Sequence, residues 1–101
     1  MPLSVQKLAS RLTFRQLQVF KAVYQQHSYS KAGELLGLTQ PAVSSQIRQL
    51  EQAIDQPLFE YVGRRLFCTA AGERLILTID SIFTEVNNLQ TDLAALQGNV
   101  A

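Results

Sequence analysis

The stretch Leu36–Gln46, LGLTQPAVSSQ, constrains the chain more than any other. Gly37 sits where a helix ends and a residue of positive φ is wanted. Thr39 offers a short hydroxyl that can cap the first free amides of a new helix. Pro41 follows in the first turn, where a missing N–H costs nothing. A helix must therefore begin near Gln40, directly after a sharp turn. Val43, Ile47, Leu50 and Ile54 recur at i, i+4, i+7 and i+11, so this helix has one buried stripe and runs to about Ile54, with Pro57 as a stop. Upstream, Ala32, Leu35 and Leu36 give the apolar side of a short helix with Ser30 as its expected N-cap, and Leu38 can plug the core between the two. A short helix, a Gly-containing turn and a second helix over about residues 29–48 are a helix-turn-helix.

Geometry then fixes the other face of the second helix. It shows Pro41, Ser45, Arg48, Gln49 and Gln52, with Ala42 and Ser44 on its flanks. Amide and hydroxyl groups can hydrogen-bond base edges, an alanine can touch a thymine methyl, and Arg48 can reach guanine or phosphate. A plain solvated face has the same composition, so the context decides.

Thr13 and Gln16 form a capping box, and Phe14, Leu17, Phe20, Val23 and Tyr24 follow as an inward helical face ending near Gln26–His27. Residues 1–11 show no clear period and read as a loose N-terminal extension. Downstream, LFEYVGRRLFCT (Leu58–Thr69) places strand-forming residues on both sides of Val62-Gly63-Arg64, which predicts a hairpin wing with Arg64 and Arg65 at its tip. Two arginines on a Gly turn suit phosphate or minor-groove contact. Thr69 can cap a long helix over residues 70–97, with 98–101 as a tail. In it Leu75, Ile79, Ile82, Val86, Leu89, Leu93 and Leu96 are spaced 4-3-4-3-4-3, an a/d seam that a partner helix could bury. The same seam could instead pack on its own domain.

The 101 residues suffice for one compact domain and an appendage, and 47% apolar with 17% charged residues is a globular composition. No run approaches the roughly 18 apolar residues of a membrane span, and the N-terminus is too polar for a signal peptide. A cytoplasmic protein is expected, with no membrane partner. Cys68 is the only cysteine, so no internal disulfide or thiolate cluster is available, and no metal or cofactor is expected. Charge is divided along the chain. Lys7, Arg11, Arg15, Lys21, Lys31 and Arg48 face only Glu34 in residues 1–48, whereas residues 49–101 hold three basic and seven acidic groups. The first half can face phosphates although the net charge is only +1. No paired carboxylates, nucleophile–base pair or phosphate loop points to an enzyme. A winged module that binds a protein partner is the rival reading, and the basic first half argues against it.

The combination YSKAGELLGLTQPAVSSQIRQLEQ, PLFEYVGRR and TAAGERL resembles the N-terminal domain of LysR-type transcriptional regulators, continuously from residue 12 to about 75. The Pro57–Arg65 pattern is similar to the subgroup that controls carbon-fixation operons. The resemblance implies a mainly α fold: a winged helix-turn-helix of three helices and a two-stranded wing over residues 12–69, then a dimerising linker helix. It also implies sequence-specific binding of double-stranded DNA at a roughly palindromic operator, as a homodimer, in the bacterial cytoplasm at the nucleoid. The parent protein would continue into an effector-binding domain absent from this chain, through which alone a small molecule would act. Thr39, Gln40, Pro41, Ala42, Ser44, Ser45 and Arg48, with Ser30, Lys31, Arg64 and Arg65, are the expected DNA contacts. Ser45 and Tyr61 stand where many members have Arg, and Gly33 stands where Ala is usual, which should loosen its helix by up to about 1 kcal/mol. The N-terminal extension is also unusual for the family.

Overall fold

The computed structural model describes residues 4–98. The order is α1 (Val5–Arg11), α2 (Phe14–Gln26), α3 (Tyr29–Leu36), α4 (Gln40–Ile54), β1 (Phe59–Val62), β2 (Arg65–Cys68) and α5 (Ala70–Leu96). Helices dominate, the two strands form one antiparallel ribbon, and α5 is long, as the sequence predicts.

One helix is extra. The N-terminal extension forms α1, capped by the Ser4 side chain, which accepts from the Lys7 N–H at 3.1 Å. Residues 1–3 and 99–101, ends of the predicted extension and tail, lie outside the described residues. The helical period was hard to see because Leu8 is the sole half-buried residue of α1, whereas Val5 is 85% exposed.

The capping box forms as expected. The Thr13 N–H donates to Gln16 Oε1 at 3.0 Å and the Gln16 N–H to Thr13 Oγ1 at 3.1 Å. Its helix, α2, ends at His27, whose left-handed backbone (φ 53°) turns the chain into α3. There the expected cap is off by two residues: Ser28, not Ser30, accepts from the Lys31 N–H, and Ser30 lies inside α3. Either serine could cap, and the tight exit from α2 leaves only Ser28 in extended conformation at the boundary. Thr39 caps α4 by accepting from the Ala42 N–H at 3.2 Å. The stop of α4 precedes Pro57: Asp55 adopts φ 57° and donates its N–H to the Glu51 carbonyl.

Gly33 has a role the sequence did not suggest. It is buried, and a Cβ there would lie 2.6 Å from the Leu38 carbonyl oxygen. The Leu38 N–H donates to the Gly33 carbonyl at 2.8 Å, so the chain folds back tightly across this position. The glycine therefore tightens the helix–turn contact instead of loosening it, and an alanine needs the Leu38 backbone to move.

The core gathers Leu17, Phe20 and Val23 of α2, Ala32 of α3, Val43, Ile47 and Leu50 of α4, Leu58 before the wing, and Ile76 and Ile79 of α5. Phe20 and Phe59 bring their rings to 5.1 Å. Two expected core residues point outward: Phe14 and Leu35 are each 61% exposed. Phe14 opens α2, where the helix has not yet reached the core, and its ring meets Phe83 of α5 at 6.2 Å. The wing is tied down at its base. Glu51 accepts from the Leu58 N–H at 2.7 Å, and Thr69 donates its hydroxyl to the Pro57 carbonyl at 2.7 Å while accepting from the Gly72 N–H.

The α5 seam divides in two. Ile79 has no exposed surface, and Leu75 and Ile82 are half-buried against the same core. Ile79 thus belongs to its own domain and has nothing to offer a partner, contrary to the expected seven-residue dimer seam. The first three turns of α5 lie on α2 and the wing, which explains the burial. Val86, Leu89, Leu93 and Leu96 lie beyond the domain and are 44–82% exposed.

Candidate nucleic-acid interface

The start of α4 stands at the surface. Thr39, Gln40, Pro41 and Arg48 are exposed, and Ala42, Ser44 and Ser45 are half-exposed. Val43, Ile47 and Leu50 anchor the opposite side, which fixes the rotation of the helix and hence what it shows. Gln40 Nε2 donates to Ser44 Oγ at 2.7 Å across one turn. That bond holds the amide in place, and it leaves Gln40 Oε1 as an acceptor and the Ser44 hydroxyl as a donor. A base edge in the major groove needs such a fixed donor–acceptor pair.

The wing turns at Gly63-Arg64, with Val62 paired to Arg65. Gly63 has φ 64° and Arg64 does not share the positive φ, the pattern of a tight two-residue hairpin with glycine first. Arg64 therefore occupies the tip and Arg65 the first strand position, both exposed.

Between the wing and the helices lies an open cleft of about 380 Å³. His27, Ser28, Tyr29 and Ser30 line one side, Gln40 the floor edge, and Tyr61, Arg64 and Leu66 the wing side. The fold thus brings Ser30, Gln40 and Arg64 to one concavity, although they are far apart in sequence. Lys31 is exposed on the next position of α3. Arg48 faces a separate shallow cleft with Glu51 and Gln52 near the end of α4. Arg65 lines an adjoining cleft with His27, Arg64, Cys68 and Glu73.

Five residues lining the cleft lie outside the expected contacts: His27, Ser28, Tyr29, Tyr61 and Leu66. Tyr61 is 62% exposed on β1, its ring 6.4 Å from that of Tyr29, which meets Phe59 edge-on at 6.1 Å. Tyr61 brings an aromatic ring and a hydroxyl to the wing side of the cleft. The position of His27 at the α2–α3 turn puts it on the cleft wall. Their signal in the sequence was weak because the cleft assembles only when the wing folds over the start of α3.

Among the described residues the ion pair within 4.0 Å is Lys21–Asp80, at 3.2 Å; Lys31, Arg48, Arg64 and Arg65 make none there, although Glu51 and Asp55 share the cleft of Arg48 and Glu73 that of Arg65. Burial pushes the Tyr29 hydroxyl up to about 12, with Glu51 and Tyr61 adding and Arg48 partly offsetting. Tyr29 therefore stays neutral. Burial and then Glu73 push the Cys68 thiol up to about 11, which keeps it protonated and unreactive. Among the described residues no helix is long and apolar enough to cross a membrane.

Comparison with known proteins agrees with this geometry. Residues 14–73 match the family described as bacterial regulatory helix-turn-helix protein, lysR family. The chain is 43% identical over 86 residues to a RuBisCO operon transcriptional regulator of Acidithiobacillus ferrooxidans, covering 85% of this chain and 28% of that protein. It is 45% identical over 87 residues to the HTH-type transcriptional regulator CbbR of Rhodospirillum rubrum, covering 86% of this chain and 29% of the relative. The chain thus spans less than a third of these curated relatives. Among solved structures, the DNA-binding domain of CbnR in complex with DNA superposes with a TM-score of 0.79 at 27% identity, over 85% of this chain and 99% of that one. From the Thr39-capped helix, the arginine-tipped wing and these matches it follows that the chain belongs to the LysR family of bacterial helix-turn-helix regulators.

Proposed function

We propose that this chain reads DNA sequence for a transcriptional regulator of a carbon-fixation operon, and that it does so as a dimer. The observation that carries this reading is the start of α4. A capped, rotation-locked helix presents Gln40, Pro41, Ala42, Ser44, Ser45 and Arg48 outward, with open cations on both sides. The helix enters the major groove with these residues at the base edges. Ser30, Lys31, Arg64 and Arg65 meet the phosphates that flank it, and Thr39 holds the helix start that aims them. Ser45, where a family arginine is common, gives a shorter reach and shifts discrimination onto Gln40, Ser44 and Arg48. The operon assignment rests on the relative from Acidithiobacillus ferrooxidans, a RuBisCO operon transcriptional regulator.

Two copies pair through Val86, Leu89, Leu93 and Leu96, which no residue of their own domain covers well. The dimer places two α4 helices on the half-sites of a roughly palindromic operator. Any small-molecule effector acts through the part of such a regulator beyond this chain, and the site of action is the bacterial cytoplasm, at the nucleoid. The relatives are regulators, and the interface described here binds a ligand without a catalytic group; we read the chain as a non-enzyme.

Enrichment of random duplex DNA by the purified chain over several rounds, at two salt concentrations, tests this. Two symmetry-related half-sites are expected. Recovery of no motif, with binding that vanishes at moderate salt, would reduce the interface to phosphate contact and defeat the reading.

A further inference from the structure

The extra helix α1 lies outside residues 14–73, the span matched by the family, yet it is packed against the recognition helix. Arg11 shares a cleft of about 300 Å³ with Gln49, Gln52 and Ala53 of α4. At 100° per residue, Gln52 projects within about 20° of the direction of Pro41 and lies about 16 Å farther along the axis. The major groove is only about 8.5 Å deep. A helix that inserts its first turn at the base edges along its axis has therefore left the groove before Gln52. Arg11, beside Gln52, stands outside the base edges, on the side of the flanking phosphates.

The charge there is open. Lys7 and Arg11 lie four residues apart, so they share one face of α1. Arg15 follows, exposed, in the first turn of α2. No Asp or Glu occurs in the sequence before Glu34, and neither Lys7 nor Arg11 makes an ion pair among the described residues. Ser4 caps the helix, and Leu8 is its half-buried contact, so the two cations are borne by an ordered element.

We propose that α1 is an additional DNA-backbone clamp, in which Lys7 and Arg11 bind the phosphates of the strand bordering the groove that α4 enters. The ligand is duplex DNA, recognised by charge and groove shape and not by base sequence. The proposal rests on the DNA-reading function and adds a contact on the side opposite the wing, so that phosphates are gripped at both ends of the recognition helix.

The test uses the full chain and a duplex of about 25 base pairs with scrambled sequence, with affinity followed by fluorescence anisotropy across a salt series. Each phosphate contact adds about 0.9 to the slope of log K against log salt. Lys7→Gln with Arg11→Gln should lower the slope by close to two contacts' worth and weaken binding by about tenfold per contact near 0.1 M salt. Lys21→Gln, whose partner is Asp80, is the off-face control and should leave the slope alone. Lys7→Arg with Arg11→Lys keeps the charge and should keep the slope, which separates charge from any loss of helix. An unchanged slope in the double Gln variant overturns the proposal and leaves α1 as packing alone. An equal loss in the charge-preserving pair also overturns it, because the effect then follows helix integrity. If the wild-type chain itself shows no salt dependence, the DNA reading fails first, and the two failures are told apart.

Discussion

Ile79→Ala and Leu89→Ala, ten residues apart on one helix, should separate folding from pairing. Ile79 has no exposed surface and sits in the core with Phe20. Its truncation leaves a cavity that costs about 2–5 kcal/mol. A domain of roughly 70 residues is stable by only about 4–10 kcal/mol. With about 4–8 °C of Tm per kcal/mol for a domain of this size, a loss of about 3 kcal/mol lowers Tm by roughly 12–24 °C. Leu89 is 56% exposed and touches no part of the core cluster. Its truncation removes burial only against a partner, about 1–2 kcal/mol per chain. Both chains of a dimer carry the change, so the dimer weakens by roughly 30- to 1000-fold. Thermal melts followed by circular dichroism at two protein concentrations about a hundredfold apart, with sedimentation at both, read these effects separately. Ile79→Ala should drop Tm at both concentrations. Leu89→Ala should remove the concentration dependence of Tm and leave the dilute value alone. If Ile79→Ala melts like the wild type and sediments as a monomer, the first half of the seam serves a partner after all. If Leu89→Ala remains dimeric at the dilute concentration, the distal residues are not the joint.

Two further outcomes follow from the interface. Arg48→Ala should weaken binding to a selected operator by about 1–3 kcal/mol while leaving a scrambled duplex nearly unaffected, as titrations on both duplexes would read; an equal loss on the two would make Arg48 a phosphate contact. Stability should fall in alkali, because a hydroxyl whose proton is held more tightly in the fold stabilises it only while the unfolded chain is also protonated. For Tyr29 the contribution is full below 10.0 and disappears as pH rises through about 12, with Cys68 acting likewise from 9.0 to about 11. Denaturant midpoints measured from pH 8 to 11.5 should therefore fall, and fall less steeply in Tyr29→Phe; identical slopes in the two proteins would refute the assignment.

The parts of the fold that were legible in the sequence are those set by local chemistry. Thr39 and Pro41 fix the start of α4, Thr13 and Gln16 fix that of α2, and Gly63 between strand-forming runs fixes the hairpin. Each of these rests on atoms within four residues. The misses share the opposite property. Ser28 displaces Ser30 as a cap because α2 exits through a left-handed His27, and nothing local forbids either choice. Gly33 needs its missing Cβ because of Leu38, five residues away across a turn. Helix α1 has a single half-buried leucine and so no stripe to read; its place on α4 is tertiary. The division of the α5 seam was equally hidden, because a heptad pattern states which face is apolar and not what covers it.

That division has a geometric consequence for the operator. The domain holds α5 through Ile79, and the free seam from Val86 to Leu96 is centred near residue 91. Twelve residues of helix span about 18 Å. If two chains cross antiparallel at that centre, their Ile79 anchors stand about 36 Å apart along the joint, which is close to one turn of B-DNA, about 34–36 Å. A seam used along its full length would be centred nearer Val86, and the anchors would close to roughly 21 Å, too near for two recognition helices on one face of the duplex. On the proposed dimer, burying the first half of the seam in the domain would set the spacing as well as add to the core. Half-sites recovered about one helical turn apart would agree with a joint at the distal seam, and markedly shorter spacing would place it nearer the domain.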